Sequence, residues 1–427
     1  MKDKTTLDFP IPAGLRLQIA QSQVGPTALP WPENLTLVGA KRLAGLARPG
    51  MRVTIAFTDA TRACPDEQLV GWLVEQLLAA GINRADITLL CATGLHRPST
   101  ATERVAKLGP HLVEQLSIVD NQAMNSAELV DLGKINGLPV VVNRRCLETD
   151  LLLATGVVEP HQYAGYSGGA KTVVIGCGGE ATLQATHGPA MLDEPGTRLG
   201  AVEGNPFQAF VRQAGARIGL AYVVNVLLSE AGEMVAAAAG EPAAVHNHLV
   251  EQARQMYEAP VERPVHIALA GVSGAKAANL YQASRAATYL ALADRTPLLP
   301  GAPIVMPAPI PEGAGQGAGE QRFFEILSRA EGPAQLLAEL RRTGFPAGAQ
   351  RAYILAQTLI QHPVIVVGAE FPEIVRACHM HAAPDLSSSL KLAEKLARQR
   401  FGLVAPEVLD FLFVPHALLT LPKLAVG

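Results

Sequence analysis

"RVTIAFTDATRACPDEQLVGWLVEQLLAAG", residues 52–81, contains the change of period that decides the fold. Its opening predicts a short apolar strand over 52–57, and Asp59-Ala60-Thr61-Arg62 then breaks the run with polar residues. From Asp66 onward the apolar residues fall at the spacing of an amphipathic helix. "DITLLCATGLHRPS" (86–99) repeats the plan, with a strand over 86–92, then Thr93-Gly94-Leu95-His96, then the helix-like "TATERVAKLG". "TDLLLATGVVEPH" (149–161) reads as a third such strand. Strands alternating with helices predict a mainly parallel α/β sheet, in which ligands bind at the carboxyl ends of the strands. Asp59, Thr61, Arg62, His96 and His161 are all delivered to that edge.

The chain is 427 residues long, which implies two domains. A Pro-bearing charged stretch, "YEAPVERP" (257–264), reads as the linker, and "VHIALAGV" (265–272) opens a second α/β unit. The expected division is therefore an N-terminal domain over 1–262 carrying the site and a C-terminal domain over 263–398. A segment over 399–427 holds a last strand, "FLFVPHALLTLP", that could return to the N-terminal domain. A cleft between the two domains is the expected place for the site. "GEMVAAAAGEPAA" (232–244) reads as helix-prone on either side of a turn.

Composition excludes several classes. With 49% hydrophobic and 17% charged residues the chain is globular. A net charge of −3 gives no general attraction to nucleic acid or an anionic membrane. No apolar run approaches the ~20 residues of a membrane span, and no secretory signal is expected. Five scattered cysteines without a C-x-x-C pair are read as reduced thiols in a cytoplasmic protein.

The stretch "HQYAGYSGGAKT" (161–172) comes within one residue, Ala170, of the phosphate-loop pattern G-x-x-x-x-G-K-[ST]. A phosphate loop leaves a strand directly and opens a helix. Here "VVEPHQYA" intervenes, and the β-branched "KTVVIG" predicts a strand after Lys171. Gly165, Gly168 and Gly169 permit positive φ and close approach of a ligand to backbone, and a lysine behind them is a candidate nucleophile or amide-forming anchor. "GCGGEATLQATHG" (176–188) ends a short helix at His187, a ligand or a helix-end cap. Arg62 offers a planar fork for a carboxylate, or an ion pair with Asp59. Tyr281, Gln282 and Arg285 sit where a loop enters a helix. Two histidines at strand ends, an arginine and a lysine suggest acid–base work on a small acid, as in a racemase or epimerase.

Taken in order, D-x-T-R-x-x-P (Asp59–Pro65), T-G-x-H-R-P (Thr93–Pro98) and E-P-H-x-x-A-G-x-S-G-G-x-K (Glu159–Lys171) resemble the nickel-pincer nucleotide-dependent lactate racemase family. The resemblance continues through Glu180 to His187, Tyr281 to Arg285 and "PEGAGQGAGEQRF" (311–323). It implies a racemase or epimerase of a lactate-like 2-hydroxy acid, working by reversible hydride transfer. The cofactor it implies is a nickel-bearing pyridinium nucleotide with two thio-acid arms, attached covalently at Lys171, with His187 as the protein's nickel ligand. His96 and His161 match the acid/base pair. Arg62, Gln282, Arg285 and Tyr281 match substrate-binding positions, and Asp59, Gly165, Gly168 and Gly169 lie beside the cofactor. The implied partners are a small 2-hydroxy acid and the cofactor-synthesis proteins. Arg285 departs from the lysine usual at its position, which leaves the acid's side chain open. Two alternatives remain at this point, an ATP-binding phosphoryl-transfer enzyme and a non-catalytic cofactor-binding relative.

Overall fold

The structure, a computed structural model, describes residues 14–22, 30–39, 42–229, 231–345 and 349–425. It is mixed α/β, with two large, mainly parallel sheets that belong to two compact units.

One unit holds the described residues from 30 to 257, with Gly344 and Phe345. Its seven-stranded sheet runs, in spatial order, Thr36–Val38, Met234–Gly240, Leu220–Leu228, Leu151–Val157, Val53–Thr58, Ile87–Ala92, Ser117–Asp120. Only the pair Leu220–Leu228 with Met234–Gly240 is antiparallel. Every residue of Val53–Thr58 and Leu151–Val157 is buried, as expected for strands covered on both faces. The helix Asp66–Ala79 buries Leu69, Val70, Leu73, Val74 and Leu77, one stripe at three- and four-residue spacing, in the same core as Ile55 and Phe57. A capping box of Thr100 and Glu103 starts the helix Ala101–Gln115, which breaks at Gly109-Pro110, where Gly109 has φ 73°.

Val53–Thr58 is followed in sequence by strands on one side of it, whereas Leu151–Val157 pairs on its other side. The order therefore reverses between these two strands. The loops beyond their carboxyl ends, from Asp59 and from Val158, flank the crevice that such a reversal opens in a parallel sheet.

Two local expectations are overturned here. "KTVVIG" is not a strand: Thr172–Gly176 forms one wide helical turn, closed by Cys177 N–H donating to the carbonyl of Thr172. Val173, Val174 and Ile175 are buried in it, so tertiary packing overrides β propensity. The Ala-rich tract is a strand over Met234–Gly240, held between two others, and only then does a helix, Pro242–Tyr257, begin. Small buried residues suit a covered strand there, although alanine favours helices in isolation.

The other unit contains a six-stranded sheet, entirely parallel, in the order Leu15–Ile19, Leu409–Val414, Ile267–Ala270, Ile304–Pro307, Val364–Val367, His381–Ala383. This moves both ends of the expected division. Leu15–Ile19 is not part of the N-terminal domain, because it pairs with Leu409–Val414. Nor does the C-terminal segment return to that domain: Leu421–Leu424 pairs with Glu258–Val261 within this same unit. Asp410 accepts two hydrogen bonds from Arg16, both 2.8 Å, and one from Arg263 at 3.1 Å, so three segments far apart in sequence meet on one carboxylate. All five cysteines are buried and free. No described helix is long and apolar enough to cross a membrane.

Candidate active site

Thr58 ends its strand and Asp59 follows, only 8% exposed. His96 reaches it from the neighbouring strand's loop through a tight turn in which its N–H donates to the Thr93 carbonyl at 2.9 Å. His96 Nδ1 lies 2.6 Å from Asp59 Oδ2, and Thr61 donates to Asp59 Oδ1 at 2.7 Å. Burial works to raise the Asp59 pKa, but the bonds from His96 and Thr61, with the charges of His96 and Arg62, hold it below the ordinary carboxylate value. An ionised Asp59 can only accept. Nδ1 of His96 therefore carries the proton, and Nε2 of the neutral ring carries the lone pair, on a side chain 55% exposed.

Arg62 does not pair with Asp59. Its Nη1 lies 3.9 Å from Glu159 Oε1, across the switch point, and both side chains are nearly half exposed. A contact this long and wet contributes roughly 0–1 kcal/mol, so a substrate carboxylate can replace Glu159 readily.

The loop after Leu151–Val157 is closed on itself. Ser167 Oγ donates to the Val157 carbonyl at 2.7 Å, and Ser167 N–H donates to the Glu159 carbonyl at 2.9 Å. Within it His161 Nδ1 accepts from the N–H groups of Tyr163 and Ala164, both at 3.2 Å. Backbone N–H groups only donate, so Nδ1 is unprotonated and Nε2 carries the proton of the neutral ring. His96 and His161 are thus set as opposite tautomers.

The loop glycines serve packing. Gly165, Gly168 and Gly169 have φ of 74°, 88° and 58°. A Cβ on Gly165 would lie 1.7 Å from the Ala201 carbonyl oxygen, and one on Gly168 would lie 2.6 Å from the Val158 side chain. Their missing side chains let the chain fold against itself. The loop's amides are engaged as well: Gly169 N–H donates to Asn225 Oδ1 at 2.7 Å, and Lys171 N–H to the Gly168 carbonyl at 3.2 Å. With Ser167 N–H also occupied, these three amides are turned to the protein itself and not to a phosphate.

Lys171 begins the wide turn at intermediate exposure. Desolvation first, then the charge of Arg62, lowers its pKa to about 7 against the opposing carboxylates of Glu159 and Asp59. A large fraction is therefore a neutral amine near neutrality, the form that attacks an acyl group. His187 ends the helix Glu180–His187. Desolvation, then the charge of Lys171, pushes its pKa down to about 4, and its Nδ1 donates to the Leu183 carbonyl at 3.1 Å. A neutral ring tied through Nδ1 presents the Nε2 lone pair, as a metal-ligating histidine does. His187 packs edge-on against Tyr163 and Phe207, at 5.5 and 5.3 Å, and His161 lies 5.5 Å from Tyr163. Among the described residues no group of three or more His, Cys, Asp or Glu could hold a metal, so a metal at His187 would take its other ligands from outside the chain.

Tyr281, Gln282 and Arg285 belong to the other unit, on the helix Leu280–Ala291. Asn279 caps this helix by accepting from Gln282 N–H at 3.0 Å. The Arg351 guanidinium stacks 4.2 Å from the Tyr281 ring centre, and Arg285 donates to the Tyr289 hydroxyl at 3.0 Å. Gln282 Oε1 and Arg351 Nε are buried without a hydrogen-bond partner in the structure.

Tyr163, Phe207, Glu159 as the counter-charge of Arg62, and Arg351 were not singled out from sequence. Phe207 opens a helix after Pro206, and its ring meets the histidines only through tertiary packing, for which local spacing holds no signal. Glu159 stood within a recognised motif, so its acidic side chain opposite an arginine was the available clue.

Residues 31–200 match the lactate racemase N-terminal domain family, and residues 262–406 match the lactate racemase C-terminal domain family. The lactate racemase of Thermoanaerobacterium thermosaccharolyticum is 29% identical over 362 residues, covering 84% of this chain and 83% of its own length. That of Lactiplantibacillus plantarum is 29% identical over 363 residues, covering 83% of each. The solved apoprotein of the Thermoanaerobacterium lactate racemase superposes with a TM-score of 0.82 at 27% identity, over 98% of both chains. A protein from Thermotoga maritima shares the fold at a TM-score of 0.63 and 18% identity, over 90% of this chain and 96% of its own.

Proposed function

The chain belongs to the lactate racemase family and is an isomerase, and on that footing we propose that it interconverts the enantiomers or epimers of a small 2-hydroxy acid by reversible hydride transfer. One observation supports the chemistry most strongly. His96 and His161 are held by hydrogen bonds in opposite tautomers, one ring presenting a base at Nε2 and the other an N–H donor there.

The residues fit the nickel-pincer nucleotide that the family resemblance implies. Lys171, with a pKa near 7, suits an acyl linkage. His187, neutral and tied through Nδ1, suits a single protein ligand to a metal whose sulfur donors the nucleotide brings. When bound, that group supplies a reversible hydride acceptor, its pyridinium ring.

The chain's own residues do the rest. Arg62 takes the substrate carboxylate bidentately, exchanging it for Glu159. His96 Nε2 accepts the hydroxyl proton as the α-hydrogen leaves with its electron pair, giving the planar 2-keto acid. His161 Nε2–H donates a hydrogen bond to the keto oxygen and polarises it, and the proton taken by His96 is returned to that oxygen as hydride comes back on the opposite face. Asp59 steadies the His96 cation that forms, and Tyr163 and Phe207 exclude water beside the histidines. The family resemblance alone implies Tyr281, Gln282 and Arg285 as substrate-binding residues, and a cationic Arg285 in that role favours an anionic or strongly polar acid.

The test uses protein produced together with the cofactor-synthesis enzymes. His96→Ala and His161→Ala should each lower interconversion by at least 10²-fold. Intact mass should still show the added group, and metal analysis the nickel. Full activity in both variants would overturn the assignment.

A further inference from the structure

Beneath the loop that carries Asp59 and Arg62 lies a charged pair that the chemistry above does not use. Asp66 is fully buried, and its carboxylate is surrounded by donors. Thr58 Oγ1 donates to Oδ2 at 2.5 Å, Thr155 Oγ1 donates to Oδ1, and Cys64 Sγ lies 3.5 Å from Oδ1. Thr58 and Thr155 come from the two strands between which the sheet order reverses, so this one carboxylate ties both together. Lys107, on the helix Ala101–Gln115, lies 3.1 Å from Asp66 Oδ2, its side chain 10% exposed. Its ammonium also donates to the carbonyls of Arg62 and Cys64, both at 2.7 Å. Three partners occupy the three N–H donors of an ammonium.

A buried ion pair is weak evidence of stability, since desolvation of two charges opposes their attraction, whereas fixing one geometry is a use such pairs can have. Here the geometry concerned is that of the 59–65 segment. A neutral side chain at 66 could fill the same space, but only a donor at 107 holds the Arg62 and Cys64 carbonyls. Resting on the racemase reading for its catalytic consequence, we propose that Asp66 and Lys107 are positioning residues: through the Arg62 and Cys64 carbonyls they set the Arg62 fork for the substrate carboxylate and Asp59 for His96.

Lys107→Met alone strands a buried carboxylate and lowers stability for that reason. The double variant Lys107→Met/Asp66→Asn removes both charges and separates stability from positioning. Two readouts are made on it. The first is the downfield proton resonance of His96 Nδ1–H bonded to Asp59, measured on the protein alone and assigned by its loss in His96→Gln. The second is racemisation kinetics of the cofactor-loaded enzyme.

The double variant should regain most of the Tm lost in Lys107→Met. Its His96 resonance should still be broadened or shifted, its KM raised about 10-fold or more, and its kcat lowered as well. A double variant with wild-type KM and a wild-type His96 resonance would overturn the proposal. If the resonance changes but the wild-type enzyme interconverts no 2-hydroxy acid, the positioning role stands and the racemase reading falls.

Discussion

At Gly165 the backbone requirement is sharp enough to be tested by a single methyl group. The residue has φ 74°, and an added Cβ would overlap the Ala201 carbonyl. Gly165→Ala should therefore lower unfolding stability by about 2–4 kcal/mol in denaturant titrations, combining left-handed strain with the clash; a loss under about 0.5 kcal/mol would contradict this packing. In sequence a glycine loop looks the same whether its open side faces a cofactor or the protein's own chain. His96, His161, Lys171 and His187 stand out in the sequence because all follow or flank glycine turns. Their protonation was not legible, because desolvation depends on neighbours distant in sequence. Lys171 provides the direct check. With a pKa near 7 it should be acylated by a succinimidyl ester well below the ordinary lysine range near 10.5, with a reaction midpoint close to pH 7 read by peptide mass spectrometry. A rate at pH 7.5 no greater than that of the surface lysines would contradict the lowered pKa.

Among the elements, Leu220–Leu228 does more than fill the sheet. Asn225 is fully buried on it, with Oδ1 accepting from Gly169 N–H and Nδ2 donating to the Val224 carbonyl. Asn225→Leu, similar in volume, leaves the Gly169 donor without its partner in a dry setting and should cost about 1–3 kcal/mol. Faster hydrogen exchange over 161–171 should accompany the loss; unchanged exchange there would mean the strand does not secure the loop. The strands Val53–Thr58 and Ile87–Ala92 were legible, within a residue, as apolar runs bounded by polar ones, whereas Ser117–Asp120 and Leu220–Leu228 were not read as strands. Met234–Gly240 and the turn Thr172–Gly176 were not legible, for one physical reason. Alanine favours a helix and valine a strand in isolation, yet here burial between other elements decides against both preferences.

For the whole molecule, sequence separation sets the limit of what can be read. Leu15–Ile19 and Leu409–Val414 are neighbours in one parallel sheet although almost the entire chain lies between them, and no local pattern announces such a pairing. Asp410 stands at this junction. Burial acts to raise its pKa, but the bonds from Arg16 and Arg263 outweigh that and leave it below the ordinary value of 3.8. A carboxyl depressed on folding stabilises the native state above its unfolded pKa and loses that contribution as pH falls through the native value. The wild type should accordingly have a higher Tm than Asp410→Asn at pH 7, with the difference shrinking below about pH 4; a gap that persists undiminished in acid would contradict the ion-pair account. Isotope tracing follows the substrate's α-hydrogen most directly. Cofactor-loaded protein is given one enantiomer of a 2-hydroxy acid deuterated at the α-carbon, in ordinary water, and both enantiomers are then resolved and weighed by mass spectrometry. Hydride transfer predicts racemisation with the deuterium retained in both enantiomers; no racemisation, or racemisation with the deuterium exchanged for solvent protium, would contradict it.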